Sequence, residues 1–337
     1  MSTATAVLAA VLLVPSQPVA EETDLRQEAL AAMAKAAAFM TSISTHGGYA
    51  GIYSLDLKRR YGEARYERAG DKQIWVQPPG TPSVGEAYLR AWRATGDEEY
   101  LDAARAAGRA LAWGQLACGG WDHLADVSGL KETSERPSRR KGRGTFDDRI
   151  TQGALDFLME LGQVVKEPWL SESVELGLGY VLKAQFENGA WPQAHPLRRG
   201  YTSFYTFNDN VINDCISTML KAHRLYGRKE CLDAARRGGD FMLLSQGKPP
   251  QAAWAQQYSH DLKPAKARRF EPAGYCSAVT ARNIRTLVEL CLYTRDDKYL
   301  RAIPPAVEWL ERSTIGENLW SRLYEVGSNR PIYGDRD

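Results

Sequence analysis

The chain has 337 residues, 44% of them hydrophobic and 25% charged, enough apolar material for a full core and too much for wholesale disorder. The formal net charge of +2, without any base-reading motif, argues against nucleic acid as a partner. Five scattered cysteines (Cys118, Cys215, Cys231, Cys276 and Cys291) form no C-x-x-C pair, which excludes a cysteine zinc site and a dense disulfide framework.

Residues 1–20 carry no charged side chain, and Ala6 to Val14 form an apolar run too short to span a bilayer. This reads as a signal peptide and predicts a secreted or periplasmic protein whose single domain covers residues 21–337. Glu21 to about Ser44 is Ala-rich, with apolar residues at helical spacing. Gly47-Gly48-Tyr49 and Ile74-Trp75-Val76-Gln77-Pro78 are turn-bounded segments suited to strands or ordered loops.

From Ser83 the chain falls into helix pairs. Units starting near Ser83, Thr145, Thr206 and Ser277 recur every ~60 to 70 residues. Thr145-Phe146-Asp147-Asp148 returns as Thr206-Phe207-Asn208-Asp209, and Gln115-x-x-x-Gly119-x-Trp121 returns as Gln185-x-x-x-Gly189-x-Trp191. Tyr100-Leu101-Asp102-Ala103-Ala104-Arg105 resembles Cys231-Leu232-Asp233-Ala234-Ala235-Arg236 at the start of the second helix of a pair. The predicted fold is mainly α: repeated helical hairpins that stack as a solenoid or curl into an α/α toroid-like barrel, with short irregular strands and long loops.

Asp147-Asp148 and Asp209-Asn210 open inner helices, where capping accounts for one acid each. Capping does not account for Asn208-Asp209-Asn210 followed by Asn213-Asp214, a polar density that a hard cation such as Ca²⁺ would satisfy better than Zn²⁺. Five dispersed histidines give no metal motif, and no nucleophile elbow, P-loop or dinucleotide fingerprint is present. Cations crowd three stretches: Arg136 to Arg143, Arg198-Arg199, and Lys263, Lys266, Arg268 and Arg269. They form either solvated loop faces or a field that draws in a polyanion. The last stretch runs between helices from Trp254-Ala255-Gln256-Gln257-Tyr258 to Phe270-Glu271-Pro272, and its two prolines mark it as a functional loop.

In order, Gly189-x-Trp191-Pro192-Gln193, Thr206-Phe207-Asn208-Asp209-Asn210, the Trp254 to Pro272 segment and the closing Gly334-Asp335-Arg336-Asp337 resemble the family 10 pectate lyases, from about Tyr49 to the C-terminus. The resemblance implies an α/α toroid-like fold and Ca²⁺-dependent anti β-elimination of polygalacturonate with an arginine base. Arginine has a pKa above about 12, so the base needs surroundings that favour transient deprotonation. Carried over, Asp209, Glu271 and Asp148 are the metal ligands, and Lys263, Asn210, Trp191 and Arg269 bind substrate. Arg336 is the base and Arg268 binds the substrate carboxylate, or the two exchange roles. The resemblance implies no membrane span and a monomer.

The chain departs from that pattern at Ser259-His260 and at Ala273, and it stops at Asp337 where relatives continue, which suggests a truncated C-terminus. A non-catalytic uronate-binding protein or an inactive truncated lyase is therefore the alternative expectation. A hydrolase could use Asp148 and Asp209 as its acid and base. A cyclase needs Asp-Asp-x-x-Asp, whereas Asp148 is followed by Arg149-Ile150-Thr151. The repeated phrase is expected to build the barrel, with its second copy carrying the site.

Overall fold

The computed structural model describes residues 19–63, 68–130 and 139–334. Residues 1–18, most of the segment expected to be a signal peptide, lie outside them, as do Arg136 and Arg336. Contacts divide the chain at Ser42. Helix α1 (Val19–Ser42) belongs to the first unit, and no helix among the described residues is long and apolar enough to cross a membrane.

The second unit opens on a ribbon, β1 (Ile52–Tyr53) against β2 (Arg60–Tyr61), and then repeats one motif four times. Each repeat runs strand, inner helix, outer helix, strand, and its two strands pair antiparallel so that the repeat closes on itself. In the first, β3 (Gln73–Trp75) leads to α2 (Thr81–Thr95), α3 (Glu98–Gly114) returns, and β4 (Leu124–Asp126) pairs with β3. The second consists of β5 (Gly144–Thr145), α4 (Ile150–Leu161), α5 (Pro168–Ala184) and β6 (Ala194–His195). The third consists of β7 (Tyr205–Thr206), α6 (Val211–Tyr226), α7 (Lys229–Ser245) and β8 (Gln257–Tyr258). In the fourth, β9 (Tyr275–Cys276) leads to α8 (Ser277–Thr294) and α9 (Ile303–Arg312). A ribbon of β10 (Thr314–Gly316) and β11 (Leu319–Trp320) follows, and β12 (Leu323–Tyr324) then pairs with both β9 and β13 (Pro331–Ile332).

The inner helices α2, α4, α6 and α8 pack in succession, each backed by its outer partner, which is the α/α-toroid architecture. Helix α4 has the most apolar sequence of the inner layer and buries Ile150, Leu155, Phe157, Leu158, Met159 and Leu161 completely. The helix boundaries follow local chemistry. Gly96 and Gly227 end α2 and α6 in the left-handed conformation, and the Asp97 carboxylate caps α3 by accepting from the Glu99 amide at 3.0 Å.

The Gln-x-x-x-Gly-x-Trp phrase is the exit device of the outer helices. The indole Nε1 of Trp121 donates to the Leu111 carbonyl at 2.8 Å, that of Trp191 to Val181 at 2.9 Å, that of Trp254 to Met242 at 2.8 Å and that of Trp320 to Leu310 at 2.7 Å. Each acceptor lies in the last turn of its outer helix, where carbonyls have no intrahelical donor. Gln115 Nε2 donates to the Gly119 carbonyl and on to Ser173 of α5, and Gln185 repeats this with Gly189 and Ala234 of α7. Gly189 has φ +93 and a Cβ there would stand 2.0 Å from the Arg237 carbonyl oxygen, so only glycine fits. The third repeat has the same device, with Gln246 Nε2 on the Ala252 and Ala302 carbonyls. Two extra residues between Gln246 and Trp254 hide it from a fixed-spacing search.

Candidate active site

The strand pairs put one short turn from each repeat on a common rim. The Val76, Phe146 and Phe207 amides each donate at 2.8 Å to the carbonyl of the returning strand, at His123, Gln193 and Gln256. The register therefore aligns Gln77 with Asp147 and Asn208, and Pro78 with Asp148 and Asp209. In the second and third repeats the next residues form a 3-10 turn holding two consecutive left-handed positions: Asp148 and Arg149 at φ 44 and 61, Asp209 and Asn210 at φ 49 and 60. Asp and Asn tolerate this conformation, whereas an arginine held there costs on the order of 1 kcal/mol. No side chain of either turn caps its helix, so capping does not explain these acids.

The two turns pack against each other and bring together acids from both copies of the phrase. One carboxylate oxygen from each of Asp147, Asp148 and Asp209 lies within 4.8 Å of the others. Gln77 Nε2 donates to Asp148 at 3.2 Å. Asn208 Nδ2 donates to Asp209 at 2.5 Å, and Asn208 is itself held by Gln256 Nε2 at 2.7 Å. Burial, then the charge and hydrogen bonding of Asp147, push the Asp209 carboxyl up to about 6, against the opposing charge of Arg268. Burial, with the charges of Asp209 and Glu63, also raises Asp148, opposed by His123 and Arg268. The buried Oδ1 atoms of Asp147 and Asn210 have no hydrogen-bond partner. Close acids and unpartnered oxygens on rigid turns fit a hard divalent cation.

Several residues expected at the site lie elsewhere or act differently. Glu271, expected as a metal ligand, is 1% exposed, and its two oxygens are taken by Arg268: Nε at 2.8 Å and Nη2 at 2.6 Å. Asp147, in place of Glu271, completes the acid cluster with Asp148 and Asp209. Trp191, expected to bind substrate, is fully buried as a helix-exit indole and offers no surface to a ligand. Lys263, Arg268 and Arg269 are exposed on the loop between β8 and β9, with Arg268 stacked over the Phe270 ring. That loop is pinned by Gln257 Nε2 on the Ala265 carbonyl at 2.7 Å and by a bridge from Tyr258 to Pro264. Arg336 lies outside the described residues. Part of the basic stretch before Phe146 is structural: Arg139 pairs with Glu172, and Arg143 donates to the Pro196 carbonyl and to Thr202. Arg198 and Arg199 remain exposed near the rim.

Three site residues were absent from the sequence-derived set. Asp147 was legible as half of an acid pair but open to a capping explanation. Gln77 and Gln256 stood inside phrases singled out in the sequence, but their place at the site depends on strand register, which the phrases do not show.

Below the turns, Asp156, 3% exposed on α4, meets Arg149 Nη2 at 2.9 Å and Lys221 Nζ at 3.9 Å. Asp214 on α6 meets Arg149 Nη1 at 3.6 Å, and burial pushes its carboxyl up to about 7 despite the charge of Arg149.

The family model described as pectic acid lyase matches residues 115–318, more than half of the chain. No curated protein sequence matches it. Among solved structures, a mutant family 10 polysaccharide lyase from Cellvibrio cellulosa in complex with trigalacturonic acid is 20% identical. It aligns over 76% of this chain and 87% of its own, with a TM-score of 0.57. The family 10 polysaccharide lyase from Cellvibrio cellulosa matches with the same TM-score of 0.57 and 20% identity, over 76% of this chain and 86% of that one. Cellobiose 2-epimerase from Bacillus thermoamylovorans shares the fold at 11% identity and a TM-score of 0.53, over 84% of this chain and 72% of that one. At these identities the structural likenesses speak for the fold alone.

Proposed function

This chain belongs to the pectic acid lyase family, and on that premise we propose that it cleaves polygalacturonate by anti β-elimination, with Ca²⁺ held by Asp147, Asp148 and Asp209. The observation that carries the reading is the three-acid cluster, whose oxygens lie within 4.8 Å of one another beside unpartnered oxygens of Asp147 and Asn210. Bound there, Ca²⁺ would supply positive charge that offsets the negative charge developing as C5, next to the uronate carboxylate, loses its proton. The trigalacturonic acid held by the Cellvibrio cellulosa mutant lyase supports a polyuronide as substrate.

The chain's own groups divide the remaining work. Glu271 orients Arg268 through Nε and Nη2, which leaves the Nη1 edge to a substrate carboxylate. The same pairing raises the Arg268 pKa, which favours a carboxylate clamp over a base. The proton acceptor is therefore assigned to Arg336. Lys263 and Arg269, exposed on that loop, serve neighbouring uronates as point charge and fork respectively, while Asn210 contributes from the third-repeat turn. A polymeric substrate suits secretion or export to the periplasm.

The test is the absorbance of unsaturated uronide released from polygalacturonate. Turnover is expected with Ca²⁺, and a chelator should slow it by at least ~100-fold, in line with a metal contribution of several kcal/mol. No product at any Ca²⁺ level would remove the activity claim. Products without the unsaturated chromophore would indicate hydrolysis. Trp191→Phe should lower unfolding stability by about 1–3 kcal/mol, because it strands the Val181 carbonyl, and should leave KM unchanged. A raised KM with normal stability would instead return Trp191 to the substrate site.

A further inference from the structure

The two acid turns differ at two positions, Asp147 against Asn208 and Arg149 against Asn210, and Arg149 has no role in the assignments above. Arg149 follows Asp148, and the aligned residue of the third repeat is the short Asn210. Arg149 is also the more costly residue to hold at φ 61. Its guanidinium crosses from the second repeat to the third: Nη2 meets Asp156 Oδ2 at 2.9 Å on its own helix α4, and Nη1 meets Asp214 Oδ1 at 3.6 Å on α6. Helix α6 begins immediately after the Asn208–Asn210 turn, and the Asp147–Arg149 turn packs against both. One fork thus holds the helices behind both acid turns.

This geometry has a clear electrostatic purpose. Asp147 and Asp148 come from one repeat and Asp209 from the next, and like charges at this spacing drive the two repeats apart. A cation behind the turns, paired to buried Asp156 on one side and partly buried Asp214 on the other, opposes that separation. We propose that Arg149 is a positioning residue, a clamp between the second and third repeats that fixes the spacing of Asp147, Asp148 and Asp209 as a single cation site. The proposal rests on the calcium reading of that cluster. Arg149 acts through the acids behind the turns and touches neither substrate nor ion. Lysine would be a poor replacement, because a single ammonium lacks the two-pronged reach that spans Asp156 and Asp214.

The test uses the full chain and three variants, Arg149→Gln, Arg149→Lys and Asp214→Asn. Ca²⁺ binding is measured by calorimetry, and hydrogen exchange of the segments 145–151 and 206–212 is followed in chelator. Arg149→Gln and Asp214→Asn are expected to weaken Ca²⁺ binding by about 10-fold to 100-fold. Both should also speed exchange in the two turns while leaving the outer helices α5 and α7 unchanged. Arg149→Lys should recover only a minor part of the loss. Unchanged exchange in the 206–212 turn of Arg149→Gln would overturn the clamp, and so would unchanged Ca²⁺ affinity in a wild-type-like fold. If Arg149→Gln fails to fold, Asp214→Asn decides, because it cuts only the arm between repeats and leaves Asp156 paired. If the wild-type protein takes up no Ca²⁺, the calcium reading fails, and the exchange measurement alone judges the clamp.

Discussion

Asp209→Asn should abolish turnover and, at the same time, stabilise the calcium-free protein at neutral pH. Folding raises the Asp209 carboxyl from its ordinary 3.8 to about 6, first through burial and then through Asp147. The folded state therefore binds this proton more tightly than the unfolded chain. Ionisation costs stability: the cost is absent below about pH 4, grows between about pH 4 and 6, and is fully present above about pH 6. At 1.36 kcal/mol per pKa unit, discounted for coupling to Asp147, the cost is up to about 2 kcal/mol. In chelator, the wild-type protein should lose more stability than Asp209→Asn as pH rises through this window, and the loss that persists in the variant comes from the raised carboxyls of Asp214 and Asp148. Calcium at ~100 times its Kd should add about 2.7 kcal/mol to the wild type and nothing to the variant. Denaturant unfolding at both ends of the window, with calcium and with chelator, checks each arm. A variant that gains as much from calcium as the wild type would dismantle the metal assignment.

Glu271→Gln should lower kcat/KM by about 100-fold while leaving Ca²⁺ affinity intact. Glu271 is buried and anchors Arg268 through one hydrogen bond to each oxygen, with Arg322 at 3.6 Å from Oε1. Burial alone would raise its pKa, but the bonds from Arg268 hold it below the ordinary range, so it is an anion at working pH. Glutamine keeps the shape, removes the charge and presents an amide donor to one edge of a guanidinium that can only donate. Arg268 is then loosely held, and a misplacement near 1 Å costs about 100-fold. Calorimetry separates this from direct metal ligation. If Ca²⁺ affinity falls in step with turnover, Glu271 belongs to the metal shell after all.

Much of the fold was readable because repetition survives at the level of side chains. The Gln, Gly and Trp of the first two exits are tightly constrained: at Gly189 a Cβ would stand 2.0 Å from the Arg237 carbonyl oxygen, and each indole must reach back to a helix end. Such requirements keep their spacing, and spacing is visible in sequence. The site was less legible. Whether Asp147 caps a helix or faces a neighbouring acid depends on two consecutive left-handed residues, and Asn208-Asp209-Asn210 has no glycine to announce them. Glu271 and the acids share one loop-rich rim, and only coordinates reveal that Arg268 claims both of its oxygens. Trp191 stood inside the phrase that carried the family resemblance, so its nearness in sequence to the site concealed its burial in the core.

The self-contained closure of each repeat has an evolutionary consequence. The strand pair and the exit indole secure each of the first three units from within. Four copies of one frame display four different pairs at the same register: Gln77-Pro78, Asp147-Asp148, Asn208-Asp209 and Ala278-Val279. Reactivity can then be installed, moved or erased by a few codons at the rim without redesigning the scaffold. A barrel of this kind is an evolvable mount, and cellobiose 2-epimerase from Bacillus thermoamylovorans shares its fold.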